Sequence, residues 1–283
     1  MSEHVQPRPL WHAAARHAAL CAAAFIMLYP LLWMVASSFR EGRDIFTSVS
    51  ILPSQISLDA YLRGWNSLPV SFGRFFQNSA VVAALSVAGN VMSCSLAAYA
   101  FARLRFRGRN FWFALMLGTL MMPYHVTLIP QYVLFLHLDW VDTILPLVVP
   151  KFLAADAFFI FLMVQFFRGI PRELDEAAMM DGCSPWRIYW KVMLPLSLPV
   201  LATTAIFSFI WTWDDFFGPL IYLNDMANYT AQIGLRALVD SGGESDWPAL
   251  FAMSVLGLVP VFLFFLFFQR LLIEGIATTG MKR

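Results

Sequence analysis

Charge is what this chain has least of. Asp, Glu, Lys and Arg together make up 13% of its 283 residues and leave a net charge of +1, while hydrophobic residues reach 59%. With a mean hydropathy of +0.66, the chain is too apolar for an ordinary soluble domain and belongs in a bilayer. So small a net charge points to neither nucleic acid nor an acidic partner, and only the placement of the charges informs. Cysteine is scarce as well: Cys21, Cys94 and Cys183 have neither disulfide nor metal-ligand spacing and read as small apolar fillers. The five histidines (His4, His12, His17, His125, His137) are scattered and form no ligand set, which argues against a membrane enzyme. A GxxxxGK[ST] loop is missing, as is any Gly-rich strand-to-helix turn, so nucleotide chemistry would have to sit on another polypeptide. Short alternating strands are missing too, which excludes a membrane barrel.

What the chain does have is long apolar runs. Crossing about 30 Å of hydrocarbon takes about 20 helical residues, and six runs qualify: 17–39, 75–102, 110–138, 143–167, 192–222 and 247–270. The expectation is an all-α polytopic membrane protein with six transmembrane helices. Residues 1–16 form an N-terminal segment, 17–272 the membrane domain with a polar loop at 168–195, and 273–283 a tail. Pro123 and Pro130 in the third run, and Lys151 with Asp156 in the fourth, mark kinks. The first run is longer than the core of a cleaved signal peptide, so it is expected to be retained.

Basic residues set the orientation. With the N-terminus in the cytoplasm, most of the 19 lysines and arginines fall on that side. They are Arg8 and Arg16, then Arg103, Arg105, Arg107 and Arg109, then Arg168, Arg172, Arg187 and Lys191, and finally Arg270, Lys282 and Arg283. The positive-inside rule therefore places both termini and the loop 168–195 in the cytoplasm. Trp65 and Trp247 then belong to the opposite side, either as contacts for a soluble binding protein or as membrane-surface anchors.

The loop carries the most specific pattern. Pro171 suits a first helical turn, Gly182 the position just past a helix end, and Ser184 with Pro185 the cap and first turn of a second helix that Pro195 limits. The spacing predicts helix, tight turn, helix at a membrane surface. Ala177, Ala178, Met179 and Met180 give the first helix a small, soft face that can pack on a partner or lie on lipid.

Glu176-Ala177-Ala178, three residues, Gly182, nine residues, then Val192-Met193-Leu194-Pro195 resembles the EAA signature of permease subunits of ATP-binding-cassette importers. Trp213-Asp214, Pro219-Leu220, Thr230, Gly234-Leu235, Gln269 and the ending Gly275-Ile276 to Gly280-Met281-Lys282 are similar to one branch, the smaller permease of maltose-type sugar importers. The chain departs from that branch in having Asp214 where Asn is common, and in its last residues.

The resemblance implies a type I importer permease fold in a bacterial or archaeal inner membrane. It implies that Glu176, Ala177, Ala178, Met179, Asp181, Gly182, Leu194 and Pro195 couple to a separate ATPase dimer, and that Gly280, Met281 and Lys282 touch it. ATP and Mg would sit on that ATPase, with no cofactor in this chain. The other implied partners are a second homologous permease, an extracytoplasmic solute-binding protein and membrane lipid, with no nucleic acid.

Polar groups inside apolar spans are costly and face protein or a water-filled path. Lys151 and Asp156 can neutralise one another. Asp156, Trp211, Trp213, Asp214 and Asp215 are candidates for a carbohydrate path, because acids beside aromatic rings suit sugars; an outer aromatic belt is the other reading. A secondary transporter or channel subunit is the alternative function, although no inverted repeat is visible.

Overall fold

A computed structural model describes residues 10–40, 45, 56–241 and 246–280, with backbone alone for 10–13, 124, 241 and 270–280. Among the described residues there is no strand. In chain order the helices are α1 (Leu10–Ser37), α2 (Asp59–Asn66), α3 (Phe72–Arg103), α4 (Arg109–Thr119), α5 (Tyr124–His137), α6 (Leu145–Phe152), α7 (Ala157–Gly169), α8 (Glu173–Met180), α9 (Pro185–Ile188), α10 (Leu194–Leu196), α11 (Leu198–Trp213), α12 (Phe217–Tyr222), α13 (Ala231–Ser241) and α14 (Trp247–Gly280). A π-helical turn, Tyr189–Met193, joins α9 to α10.

Four segments are long and apolar enough to cross a membrane: Ala14–Ser37, Phe72–Arg103, Leu145–Gly169 and Trp247–Gln269. The pair Pro185–Leu196 and Leu198–Trp213, bent by 77°, makes a fifth when counted as one span. The described residues are thus all-α and apolar as expected, with four or five helices that are by themselves long and apolar enough to span.

The third run, 110–138, is interrupted: it ends as α4 at Thr119 and restarts as α5 at Tyr124. Pro123 stands before α5 in an extended conformation (φ −60°, ψ 130°). A proline also disfavours helix at the residue before it, here Met122, so the run cannot continue unbroken. The fourth run breaks between Phe152 and Ala157, where Ala154 takes φ 54°. The fifth departs too: Pro195 does not stop its helix but sits inside α10, and the bend comes at Ser197. A proline ring clashes with the carbonyl four residues earlier, here Lys191. The wider π turn accommodates it, with the Leu194 N–H reaching back to the Tyr189 carbonyl.

The chain divides into two compact units, Met1–Pro69 with Leu238–Leu256, and Val70–Ala237 with Gly257–Arg283. In the first, Arg63 clasps Asp246 through Nε to Oδ2 at 2.8 Å and Nη2 to Oδ1 at 3.3 Å. Trp33 meets Phe251 edge-on at 5.3 Å.

In the second unit α3 is the central post, packing against α6, α7 and α11. Its buried face presents Cys94, Ala98, Tyr99 and Ala102 to Phe159, Met163, Val164 and Phe167 of α7 and to Val200 and Leu201 of α11. Two polar side chains on α3 bond across to its neighbours: Asn90 Nδ2 donates to Ser208 Oγ at 2.9 Å and Ser93 Oγ to the Lys151 carbonyl at 2.7 Å. Near the other end of α6, Asp142 accepts from the N–H groups of Asn224 and Asp225, both at 2.9 Å. Those backbone donors, Asp225 first, hold its carboxyl below the usual carboxylate range.

Close approach of α3 to α6 depends on Gly89. A Cβ there would lie 3.0 Å from the Lys151 carbonyl carbon and 2.9 Å from the Phe152 ring. Gly89→Val is expected to destabilise the protein by about 1–3 kcal/mol, read as a lower thermal midpoint of the purified protein in detergent.

Candidate coupling segment and polar cavity

The polar segment folds as its turn chemistry requires. Glu173, Asp175 and Glu176 fill the first turn of α8, where carboxylates suit the positive end of the helix. The helix stops at Met180, Gly182 takes φ 76°, and its N–H bonds to the Met179 carbonyl at 3.0 Å. Only glycine enters that left-handed conformation without a Cβ penalty. Ser184 then caps α9, its hydroxyl accepting from the Arg187 N–H at 3.4 Å. The expected helix, turn and helix are present.

Two sets of contacts bind this elbow to the longer helices. The first centres on Arg103, the last residue of α3, whose side chain is only 4% exposed. Its Nη2 donates to the carbonyls of Phe167 at 2.8 Å and Ile170 at 2.7 Å, capping the end of α7. Its Nε lies 3.3 Å from Asp175 Oδ2 in α8. One guanidinium thus joins α3, α7 and α8. Burial outweighs the attraction of Arg103 and Arg172 and pushes the Asp175 carboxyl above its ordinary value.

In the second set, Tyr99 Oη donates to the Pro185 carbonyl at 2.9 Å, and Ser95 Oγ and Tyr189 Oη share a hydrogen bond of 2.7 Å. Tyr99 and Tyr189 also pack with ring centroids 5.3 Å apart.

The opposite face of the elbow is bare. Glu176, Ala177, Met179, Asp181 and Gly182 are exposed, and Met180 is 90% exposed. Ala178 is half-buried against the core, as is Leu194, while Pro195 is exposed. Of Gly280 only the helical backbone is described, and Met281 and Lys282 lie outside the described residues.

The charged groups of the spans gather elsewhere in the same unit. Lys151 Nζ lies 3.0 Å from Asp156 Oδ2, so the two do pair. They line a cavity of about 660 Å³ together with Asp215, Gln131, Thr119 and Thr127. Asp215 is held by the Gly218 N–H, 3.1 Å from Oδ1. Trp211 faces a smaller neighbouring cavity that also includes Lys151 and Asp215, and stacks on Phe159 at 5.2 Å. Asp156, Asp215 and Trp211 are therefore brought together. Trp213 and Asp214 are not: Trp213 is buried with its indole N–H donating to the Gly257 carbonyl at 2.9 Å, and Asp214 is exposed at the end of α11. Sequence reasoning missed the roles of Arg103, Tyr99, Ser95 and Tyr189. A lone buried arginine is indistinguishable by spacing from Arg105, Arg107 and Arg109 beside it.

Residues 89–277 match the family described as binding-protein-dependent transport system inner membrane component. The chain belongs to that family. With its apolar helices, membership makes it a multi-pass inner-membrane permease of the importer type. It is 34% identical over 262 residues to the arabinooligosaccharides transport system permease protein AraQ of Halalkalibacterium halodurans, covering 92% of each chain. It is 30% identical to the trehalose/maltose transport system permease protein MalG of Thermococcus litoralis, covering 92% of this chain and 93% of that one. In fold it matches a chain from the crystal structure of a bacterial ABC transporter involved in the import of the acidic polysaccharide alginate, with a TM-score of 0.83, 24% identity, and coverage of 94% of this chain and 99% of that chain.

Two outcomes follow from the Arg103 junction. Arg103→Met removes two hydrogen bonds from a charged donor, each worth about 1.5–3 kcal/mol, and a correspondingly lower thermal midpoint is expected in detergent. Because the folded Asp175 carboxyl titrates above its unfolded value of about 3.9, its contribution to stability is greatest below that pH and is lost as pH rises through the raised value. Asp175→Asn is expected to remove this slope, seen by comparing the pH dependence of the thermal midpoints of the two proteins.

Proposed function

We propose that this chain is one of two permease subunits of an ATP-binding-cassette importer, and that α8 is the lever by which a separate ATPase dimer drives it. The observation that carries the reading is the two-sided build of the elbow. Its outer face offers Glu176, Ala177, Met179 and Met180 to a partner, and its inner face is locked to α3 and α7 through Arg103. A push on α8 therefore moves two apolar helices together. Switching a two-state path from mostly one state to mostly the other takes about 5.5 kcal/mol of differential interaction, which ATP binding and hydrolysis can supply. The elbow faces the cytoplasm in this reading, and ATP and Mg are held by the ATPase. An extracytoplasmic binding protein delivers the solute, and the tail at Gly280, Met281 and Lys282 adds a second ATPase contact.

The solute is a neutral carbohydrate. Relatives carry names referring to arabinooligosaccharides, trehalose and maltose, and sn-glycerol 3-phosphate. The cavity here sets two carboxylates, Asp156 and Asp215, against one ammonium, Lys151. That balance disfavours an anion, while carboxylates, Gln131 and two threonines suit hydroxyl groups.

Glu176→Lys is expected to abolish solute uptake by the reconstituted complex while the chain still inserts in the membrane. Uptake that survives this charge reversal would favour a secondary transporter not driven by ATP. In the unmodified complex, excess neutral oligosaccharide should compete for uptake and sn-glycerol 3-phosphate should not.

A further inference from the structure

A second charged cavity lies apart from the one with Lys151, Asp156 and Asp215. It measures about 620 Å³ and is lined by Arg105, Arg109, Arg172, Asn110, Phe106 and Phe111, with no acidic residue in its wall. It sits where α3 hands over to α4, and Arg172, immediately before α8, places it beside the elbow. Neither Arg105 nor Arg109 forms an ion pair among the described residues; Arg109 Nη1 reaches only the Leu104 carbonyl, at 3.4 Å. Asp175 offsets part of the charge of Arg172, but Arg105 and Arg109 beside it still hold like charges at a mutual cost, which a bound anion would relieve.

The walls say which anion. From the cavity rim an apolar surface runs along α4, with Phe111 65%, Trp112 52% and Leu115 53% exposed. Trp at such a boundary sits at headgroup level, with the hydrocarbon just beyond for Phe and Leu. A phosphate that carries acyl chains fits both the arginines and this surface. A free phosphate fits only the arginines, and a soluble protein partner would leave the α4 surface unused.

We propose that Arg105, Arg109 and Arg172 bind the phosphodiester headgroup of an anionic phospholipid, with Phe111 and Trp112 against its acyl chains. The site does not depend on the coupling role assigned to α8. A lipid held there would brace the start of α8 against the end of α3 from the membrane side.

The test is native mass spectrometry of the intact complex, delipidated and titrated with phosphatidylglycerol or phosphatidylethanolamine. Phosphatidylglycerol should be retained in preference. Each basic residue near an anionic surface contributes about a fivefold factor, so Arg105→Gln, Arg109→Gln and Arg172→Gln combined should weaken retention by roughly a hundredfold. If the triple variant does not assemble, each single variant should still show its roughly fivefold loss. The triple lysine variant should keep most of the binding, and Arg187→Gln, outside the cavity, should leave it unchanged. Equal retention by parent and glutamine variants would overturn the proposal. So would displacement of the lipid by an equal concentration of inorganic phosphate, which would mark a free-anion site. Loss of the ATPase from the glutamine variants with lipid retention intact would overturn it in favour of a protein contact.

Discussion

A single buried guanidinium holds the working parts of this permease in register. Arg103 closes α3, caps the carbonyls that end α7, and meets Asp175 at the start of α8. Each of those groups would otherwise be left unsatisfied in a nearly dry setting, and an unpaired buried polar group is far more costly than a bond is beneficial. The three helix ends are therefore constrained to move as one body.

The second attachment works differently. Tyr99 and Tyr189 pack with their rings tilted by 49° within the core and spend their hydroxyls on Pro185 and Ser95. They fix α9 and the π turn to α3, just before the chain bends by 77° into α11. A π turn is a poorly bonded stretch of helix, and a sharp bend next to it concentrates deformation in a few residues. The elbow is thus tied to α3 and α7 by hydrogen bonds and meets α11 at a sharp bend. The cavity with Lys151, Asp156 and Asp215 lies among residues of α5, α6 and the α11–α12 junction, so the same unit carries both the elbow and the polar cavity.

Much of the elbow was legible from residues alone, because its determinants are local. Gly182 is read from its backbone freedom, and Ser184 with Pro185 from the needs of a helix start. The pairing of Lys151 with Asp156 was also legible, since two opposite charges five residues apart in an apolar run have little else to do. The interruptions at Pro123 and between Lys151 and Asp156 were legible as kinks, but how far each would part its helix was not. Hydropathy measures only the cost of leaving water, and it is blind to where the backbone can no longer stay helical. Pro123 broke the third run, and the bend at Ser197 came two residues after the proline expected to end the helix.

Composition, local turn chemistry and the EAA spacing determined by themselves that this is an apolar helical protein with a helix-turn-helix elbow of the importer permease type. They could not decide which of four neighbouring arginines turns inward. Arg103, Arg105, Arg107 and Arg109 are chemically alike and evenly spaced, and only the arrival of α7 and α8 beside the end of α3 buries the first and leaves Arg105 and Arg109 around an open cavity. Nor could they tell Trp211, which faces a cavity wall, from Trp213, which is spent on the Gly257 carbonyl. Both distinctions depend on contacts between residues far apart in sequence, and such contacts come into being only when the helices pack.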